Sequence, residues 1–339
     1  MTTLLVLGGT AWLGGEVARA AVRRGHDVTC LARGVSGSVP EGVRWVRADR
    51  AAPDAYDAVR DTDWDDVVDV SWQPGQVRSA LAALAPRARH WTYVSSCSVY
   101  ADHSVRDADE STALLPALQS DRADLEQYGE AKVACEQLCR RALGDRVLLA
   151  RSGVIAGYGD PSDRFGYWPG RFALARQDGG QVLVPDTEDL PTQAIDVRDL
   201  ADWLVRAGEG GTAGAMNVVG ERRPFRDVIA MARAVAGFDG SGTDARIVRV
   251  PSDWLLAERV DEYMGPRSLP LWLVDPEWAG FSARNGDMAV AAGLTHGPLR
   301  ELVAEALRWE EQLGLDRDRR AGLSRAEENE LLRRWTARR

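Results

Sequence analysis

Tyr128 and Lys132 stand four residues apart and are the clearest candidates for acid–base chemistry in this sequence. The chain has 42 basic residues, and Lys132 is its only Lys. An ammonium is a compact charge that can titrate, whereas a guanidinium stays protonated, so a single Lys marks a position at which Arg would not serve. The surrounding pattern is helical, and a four-residue step of about 400° places both side chains about 40° apart on one face.

This pair predicts proton transfer by a tyrosine. A phenol alone is a poor acid–base catalyst at neutral pH, because its ordinary pKa is near about 10. A neighbouring ammonium favours the phenolate. We therefore expect Tyr128 to exchange a proton with the substrate, and Lys132 to support it. The alternative is an Arg-biased composition with one accidental Lys.

A glycine-rich segment, residues 8–14, directly follows the first predicted strand and opens a predicted helix. Small residues let the backbone approach a pyrophosphate, and N–H groups at the start of a helix bind its oxygens. Gly8 and Gly14 fill the outer positions of a GxxGxxG pattern, with Ala11 at the middle one. The alternative is an ordinary tight turn. The residues that we expect to contact a dinucleotide are Gly8, Thr10, Ala11, Trp12, Leu13 and Gly14.

The residue after the second predicted strand distinguishes NADP(H) from NAD(H). An acidic side chain there would bind a ribose 2′-hydroxyl, but this chain has Arg33, which can pair with a 2′-phosphate. Arg33 thus favours NADP(H), with NAD(H) as the alternative cofactor and an ordinary surface Arg as the alternative interpretation. Asp49, just past the third strand, is placed to receive the adenine amino group.

A serine-rich segment, residues 95–98, ends the fifth predicted strand, where loops at the carboxyl edge of a parallel sheet line the ligand crevice. A hydroxyl here can hydrogen-bond the substrate oxygen with which Tyr128 exchanges its proton, or the serines can simply cap the strand. Cys97 is not expected to act as a nucleophile, because only His90 and His103 lie near it in sequence.

The elements that must position these residues alternate between β-branched runs and helical patterns over the first two thirds of the chain. This alternation is typical of βαβ units, and we predict an α/β fold with a Rossmann-type doubly wound parallel sheet and a smaller C-terminal α/β lobe. The predicted strands are residues 4–7, 28–31, 43–46, 67–70, 91–94, 147–150 and 247–250. The predicted helices are residues 12–24, 122–142, 170–177, 197–207, 299–313 and 324–335.

The predicted domains are a dinucleotide-binding domain over residues 1–155, to which 192–210 return, and a substrate-binding lobe over 156–191 and 211–339. The lobe is rich in aromatic residues, which suit an apolar or aromatic substrate or else pack the lobe's own core. These residues are Phe165, Tyr167, Trp168, Phe172, Trp272 and Trp278.

Composition excludes several classes of function. The net charge is −9, and basic residues do not cluster before the C-terminal quarter, so nucleic-acid binding is disfavoured. The four cysteines form no CxxC pair, which argues against a disulfide framework and against a metal site. No signal core and no run of 18 apolar residues is present, so we expect a cytoplasmic protein without a membrane partner.

Taken together, these residues resemble the extended branch of the short-chain dehydrogenase/reductase superfamily, with its NAD-dependent epimerase/dehydratase-like proteins, and look most like actinobacterial reductase-type members. The resemblance covers essentially the whole chain, and its motifs are specific as a set. The motifs, in order, are Gly8-Gly9-Thr10 to Gly14, Ser95-Ser96 to Val99-Tyr100, Tyr128 to Lys132, Asp196 to Leu200, and Asp287 to Leu294.

The resemblance implies roles for three residues: Tyr128 as general acid/base, Lys132 as its activator and ribose ligand, and Ser96 as the hydroxyl that orients the substrate oxygen. It also implies a homodimer formed through the Tyr128 helix. The sequence departs from the family in three ways. No Asn precedes Ser96, Val154 stands where sugar-nucleotide enzymes have Asn, and Thr192 stands where they commonly have Arg.

These departures remove groups that would hold a sugar diphosphate. We therefore expect an NADP(H)-dependent oxidoreductase that reduces a carbonyl, or oxidises an alcohol, on a small metabolite, for which an apolar compound is a candidate. One alternative is an NAD-dependent epimerase or dehydratase that acts on a sugar nucleotide. A second alternative is a regulator that binds a dinucleotide without turnover.

Overall fold

The computed structural model describes residues 2–187, 189–238 and 247–338, and the chain divides into two compact units. The first unit comprises Met1–Gly153, Val197–Gly220 and Arg284–Thr295. The second unit comprises Val154–Asp196, Glu221–Ala283 and His296–Arg339. Within the described ranges, no helix is long and apolar enough to cross a membrane.

The described residues form short strands that belong to one large sheet and several two-stranded ones. The strands are β1 (Thr3–Leu7), β2 (Asp27–Ala32), β3 (Arg44–Arg47), β4 (Trp64–Asp69), β5 (Ala88–Ser96), β6 (Val147–Ser152), β7 (Val154–Ala156), β8 (Val182–Asp186), β9 (Pro191–Thr192), β10 (Ala194–Asp196), β11 (Gly214–Val218), β12 (Arg223–Pro224), β13 (Ile247–Pro251), β14 (Asp261–Tyr263) and β15 (Ser268–Pro270).

The α-helices are distributed over both units. They are α1 (Trp12–Arg23), α2 (Pro74–Leu84), α3 (Tyr128–Leu143), α4 (Tyr167–Asp178), α5 (Val197–Glu209), α6 (Phe225–Val235), α7 (Ser252–Ala257), α8 (Asp287–Ala291), α9 (Leu299–Leu313) and α10 (Arg325–Thr336).

A seven-stranded parallel sheet forms the centre of the first unit, in the order β11-β6-β5-β4-β1-β2-β3. The apolar run in β1 is buried on both faces, as strands covered by helices on both sides require. Helices α2 and α3 pack together against one face, and α1 packs against α5. The strand order reverses between β1 and β4, so the ligand crevice of such a fold lies at their carboxyl ends. The predicted Rossmann-type fold is confirmed.

The sheet also contains a buried histidine, His90, both ring nitrogens of which lie within hydrogen-bond distance of oxygen atoms. His90 of β5 lies within 2.9 Å of Asp66 Oδ1 through Nδ1 and within 2.8 Å of the Thr212 carbonyl oxygen through Nε2. Only an imidazolium can donate to two acceptors at once. Burial lowers the pKa of His90, but the hydrogen bond to Asp66 and its charge raise it by more, so the net shift is upward.

The second unit has a core of its own, which contains five of the six aromatic residues singled out in the sequence. Trp168, for example, is fully buried and donates from Nε1 to the Pro270 carbonyl oxygen at 2.7 Å. Trp278 is the exception, at 40% exposed. The five buried residues are Phe165, Tyr167, Trp168, Phe172 and Trp272. Packing therefore accounts for them, and they give no support to an aromatic substrate pocket.

Several predicted boundaries need correction. Helix α3 begins at Tyr128 and not at residue 122, because Leu125–Gln127 form a single 3-10 turn in which the Gln127 side chain accepts from the Asp124 N–H. Helix α2 was not predicted. Strand β11, which the sequence analysis assigned to the lobe, pairs in parallel with β6 in the large sheet. The unit boundaries differ accordingly, since residues 211–220 and 284–295 belong to the first unit.

Candidate active site

The glycine-rich turn between β1 and α1 is shaped by close backbone approaches. Gly8 has φ +100°, and a Cβ on Gly14 would lie 2.4 Å from the Gly8 carbonyl oxygen. A Cβ on Gly9 would lie 2.1 Å from Cys30 Sγ. The middle position of the pattern needs no glycine, since Ala11 has an ordinary φ of −80°. Because Ala11 has no polar side chain to cap α1, this helix start is suited to the oxygens of a phosphate.

Arg33 and Asp49 lie side by side at the carboxyl edge of the sheet, just after β2 and β3. Arg33 Nη1 is 4.0 Å from Asp49 Oδ2, and both side chains are about half exposed. The structure therefore brings together the two residues that the sequence assigned to opposite parts of an adenosine. An exposed ion pair of this kind contributes little stability, so both groups can turn to a ligand at small cost.

Lys132 lies at the carboxyl edge of the same sheet, 2% exposed. Its Nζ donates to the carbonyl oxygens of Ser71 at 3.0 Å and Val94 at 2.6 Å. The same atom is 4.8 Å from the centre of the Tyr93 ring and 5.8 Å from that of Tyr128. An ammonium has three N–H donors. Of these, two bind carbonyl groups, and the third has no hydrogen bond within the part of the chain that the structure describes. A planar guanidinium has a different shape and a fixed fork of donors, so an Arg at this position would not reproduce these contacts.

Tyr128, the first residue of α3, is partly exposed and faces a second aromatic ring. The ring centres of Tyr128 and Trp72 are 5.6 Å apart, with their planes at 54°. Trp72 sits in a turn held on both sides, since Ser71 N–H donates to Asp69 Oδ1 at 2.9 Å and Gln73 Nε2 donates to the Ala123 carbonyl oxygen at 3.1 Å. The sequence analysis missed Trp72, which gives Tyr128 a fixed aromatic neighbour.

Ser96 ends β5 and turns its hydroxyl toward the next residues of the chain. Its Oγ donates to Ser98 Oγ and accepts from the Ser98 N–H, both at 3.1 Å. The same segment contacts the start of α3, because a Cβ on Gly129 would lie 2.4 Å from the Ser98 carbonyl oxygen. Gly129 thus lets α3 approach the end of β5 closely, which places Tyr128 beside the serine-rich turn.

A buried polar network between α3, β5 and β6 was not predicted from the sequence. Glu136, one turn after Lys132, accepts from Ser95 Oγ at 2.7 Å and from Arg151 at 2.8 and 2.9 Å. Arg151 Nη1 also donates to Tyr100 Oη at 3.1 Å. Charged residues this deep in a sheet are rarely tolerated without a partner. The network links α3 to β5 and β6 and so fixes the helix that carries Tyr128 and Lys132.

The cysteines are not part of the reactive set. Burial raises the pKa of the Cys97 thiol to about 12, and its Sγ donates to the Arg151 carbonyl oxygen at 3.3 Å. Burial likewise raises the pKa of Cys135 to about 11, and Cys139 is fully buried. His103 has its pKa lowered to about 4 by burial and by the neighbouring Arg284, so it is neutral at physiological pH. Thiol chemistry is therefore disfavoured at this edge of the sheet.

The sheet order, the glycine-rich turn before α1 and the Tyr–Lys pair beside β5 define an enzyme of the dinucleotide-dependent α/β class. The chain belongs to the NAD-dependent epimerase/dehydratase family, whose family model matches residues 4–220. The resemblance found in the sequence is thereby confirmed, and the chain is an enzyme of the NAD(P)-dependent oxidoreductase type.

Individual relatives span nearly the whole chain. A 2′-dehydrokanamycin reductase from Streptomyces kanamyceticus is 28% identical over 323 residues, which cover 92% of this chain and 76% of that protein. A UDP-Glc/GlcNAc 4-epimerase from Campylobacter jejuni is 14% identical with a TM-score of 0.66, over 92% of this chain and all of that one. A UDP-glucuronic acid 4-epimerase from Bacillus cereus, solved with NAD, is 15% identical with a TM-score of 0.62, over 92% and 99%.

Proposed function

We propose that this protein is an NADP(H)-dependent reductase that converts a carbonyl group of a small ring-containing metabolite to an alcohol. The observation that carries this proposal is the placement of Lys132, whose ammonium is held by two carbonyl groups with one donor left, next to the Tyr128 ring. The similarity to a reductase over 92% of the chain supports the direction of the reaction.

Three residues of the first unit, Tyr128, Lys132 and Ser96, have separate roles in the proposed reduction. A bound nicotinamide would supply the hydride to the carbonyl carbon. Tyr128 gives its phenolic proton to the carbonyl oxygen, and Lys132 stabilises the phenolate that remains. Ser96 turns its hydroxyl from Ser98 to the same oxygen and stabilises the charge that develops there. Lys132 would also hold the ribose of a bound nicotinamide through its remaining N–H.

The preference for NADP(H) over NAD(H) rests on the side chains after β2 and β3. Arg33 is half exposed and offers a guanidinium that matches a phosphate in shape and charge. No acidic residue follows β2 to bind a 2′-hydroxyl in its place. The solved relative with bound NAD is 15% identical and so bears on the fold alone.

The class of substrate is suggested by the aromatic neighbour of Tyr128. Trp72 is held next to the proton-donating ring, where its face can pack against the apolar face of a substrate ring. A ring with one apolar face and hydroxyl or amino groups on the other would satisfy both Trp72 and the polar edge of the sheet. 2′-Dehydrokanamycin, the compound in the name of the reductase relative, is the first substrate to test.

The experiment that tests the acid–base assignment is the variant Tyr128→Phe. Removing the phenolic proton donor is expected to lower kcat by about 10² or more on a substrate that the wild type reduces, since general acid catalysis contributes about that much. Dinucleotide affinity is the control and should change by less than about threefold, within about 0.7 kcal/mol. A loss of turnover below about tenfold would refute the assignment of Tyr128.

A second candidate function is an epimerase or dehydratase that keeps its cofactor and regenerates it in each cycle. The match to the NAD-dependent epimerase/dehydratase family over residues 4–220 favours this candidate. Val154 and Thr192 argue against a sugar-nucleotide substrate, because they stand where such enzymes have an Asn and commonly an Arg that could hold the diphosphate. Cofactor that co-purifies in stoichiometric amount, with no net NADPH consumption during turnover, would support this candidate over the reductase.

Dimerisation through α3 and a cytoplasmic location extend the same proposal. The dimer is supported by the family resemblance, in which the helix that carries Tyr128 pairs with its copy, and the cytoplasmic location stays a prediction from the sequence. The exposed side chains of α3 include Gln137, Arg140 and Arg141. Light scattering on the wild type and on Arg140→Glu would test this dimer. We expect the wild type to have twice the mass of one chain and the variant to have a smaller mass.

A further inference from the structure

We propose that Arg47 is a second arginine of the site for the 2′-phosphate, and that Arg33, Asp49 and Arg47 together select the cofactor by charge. The proposal rests on the proposed preference for NADP(H) and deepens it, since it adds a residue and a reason for the selection. Arg47 is not part of any motif in the sequence, where it looks like an ordinary exposed residue of an edge strand.

Arg47 reaches the position that follows β2. It is the last residue of β3 and stands beside Ala32, the last residue of β2, in the parallel register. Its Nε donates to the Arg33 carbonyl oxygen at 3.1 Å. This hydrogen bond uses one guanidinium donor and directs the group toward the end of β2. The remaining donors of Arg47 have no hydrogen bond to the protein within the described part of the chain, and the side chain is exposed.

An exposed tryptophan holds this arrangement in place. Trp45 Nε1 donates to the Ala32 carbonyl oxygen at 3.2 Å, and the Arg47 guanidinium carbon lies 5.8 Å from the centre of the Trp45 ring. A Cβ on Gly34 would lie 2.5 Å from Cζ2 of the same ring. Trp45 therefore fixes both the backbone that follows Arg33 and the guanidinium of Arg47. An arginine held in this way loses little conformational freedom when an anion binds.

The charge balance explains why Arg33 alone would bind a 2′-phosphate weakly. Arg33 Nη1 lies 4.0 Å from Asp49 Oδ2, so these two residues alone leave the site close to neutral. A phosphate monoester carries a charge of about −1.5 to −2 at neutral pH and would gain little from a neutral pair. Arg47 makes the cluster net positive. Asp49 then has two effects: it accepts from the adenine amino group and it weakens the attraction of the site for the phosphate.

The cluster is continuous with the glycine-rich turn. The loop after Arg33 folds back so that a Cβ on Gly37 would lie 3.4 Å from the Thr10 carbonyl oxygen. Gly34 and Gly37 both have positive φ, +83° and +143°, which lets the loop make this turn. Arg33 and Arg47 would therefore hold the adenosine ribose of a dinucleotide whose pyrophosphate binds at the start of α1.

Titration of the full-length protein with NADPH and with NADH, followed by nucleotide fluorescence or by calorimetry, tests this proposal without a substrate. Arg47→Ala is expected to weaken NADPH binding by about tenfold or more and NADH binding by less than about threefold. Asp49→Asn keeps an oxygen for the adenine amino group and removes the negative charge, so it should increase the preference for NADPH. The matched control is Arg44→Ala at the other end of β3, which should change neither affinity.

The outcomes separate the proposal from the function on which it rests. A wild type that prefers NADPH, with Arg33→Ala weakening NADPH binding and Arg47→Ala leaving it unchanged, would overturn the role of Arg47 while the cofactor preference stands. A wild type that binds NADH more tightly, with neither arginine affecting NADPH, would overturn both. A selective loss of NADPH affinity in both variants, with a weaker dependence of NADPH binding on salt in each, would support the two-arginine site.

Discussion

Replacement of Gly14 by alanine isolates the role of the glycine-rich turn. The side chain added by Gly14→Ala would place its Cβ 2.4 Å from the Gly8 carbonyl oxygen and 2.9 Å from the Gly8 carbonyl carbon. Both atoms belong to the backbone, so the contact cannot be relieved by rotation of a side chain. Either α1 or the turn at Gly8 must move by about 1 Å to restore a normal van der Waals separation.

The size of the effect follows from two opposed contributions. Alanine in a helix is more favourable than glycine by about 0.5–1 kcal/mol. Overpacking of a tight contact costs about 1–3 kcal/mol. The free energy of unfolding of Gly14→Ala should therefore fall by about 1–2 kcal/mol. Because the shift displaces the N–H groups at the start of α1 from the pyrophosphate, dinucleotide affinity should fall by about tenfold or more, which is about 1.4 kcal/mol.

Gly15→Ala is the matched control, since Gly15 is the next residue of the same helix. A Cβ on Gly15 meets no atom closer than 3.5 Å. This variant should keep its dinucleotide affinity and gain about 0.5–1 kcal/mol of stability from helix propensity. The assays are dinucleotide titration and denaturant unfolding of both variants beside the wild type. Wild-type affinity in Gly14→Ala, or an equal loss in both variants, would refute the assignment of the turn to pyrophosphate binding.

Three further predictions concern other parts of the first unit. His90→Gln should lower the free energy of unfolding most below about pH 6.5. The pKa of His90 is raised in the folded protein, so its stabilising contribution is complete at low pH and is lost as the pH rises through that pKa. Denaturant unfolding at several pH values measures this effect, and a difference that does not depend on pH would contradict it. Trp72→Ala should raise KM for a ring substrate by about 3- to 10-fold with little change in kcat, and an unchanged KM would remove Trp72 from the substrate site. Glu136→Gln should lower the free energy of unfolding by about 3–5 kcal/mol, because Arg151 stays buried without its counter-ion. The double variant Glu136→Gln, Arg151→Met should lower it by less than Glu136→Gln alone.

Much of the sheet could be predicted from the sequence because buried parallel strands are apolar along their whole length. β1, β2 and β6 were found in this way, and each is buried. β11 was missed because its short Gly-Ala-Met-Asn-Val sequence lacks a β-branched run, and only its pairing with β6 makes it part of the sheet. The start of α3 was placed too early because the polar residues before Tyr128 have helix-compatible types, and the 3-10 turn there depends on Gln127.

The residues of the candidate site also divide into those that the sequence identifies and those that only the structure reveals. Residues whose types and spacing are unusual, such as the single Lys132 four positions after Tyr128, could be singled out without a structure. Trp72 and Arg47 could not, because each gains its place from a partner distant in sequence, Tyr128 for the first and Arg33 for the second. Glu136 was also missed, since a Glu on a helix is ordinary until Arg151 is found beside it.

The ratio of NADPH oxidised to alcohol formed, measured on a ketone that the wild type accepts, distinguishes a reductase from an enzyme that regenerates its cofactor. For the proposed reductase we expect one NADPH consumed for each alcohol formed, loss of that consumption in Tyr128→Phe, and weak activity with NADH. Conversion of substrate with tightly held cofactor and without net consumption of NADPH would contradict the reductase and point instead to an internal, regenerating reaction.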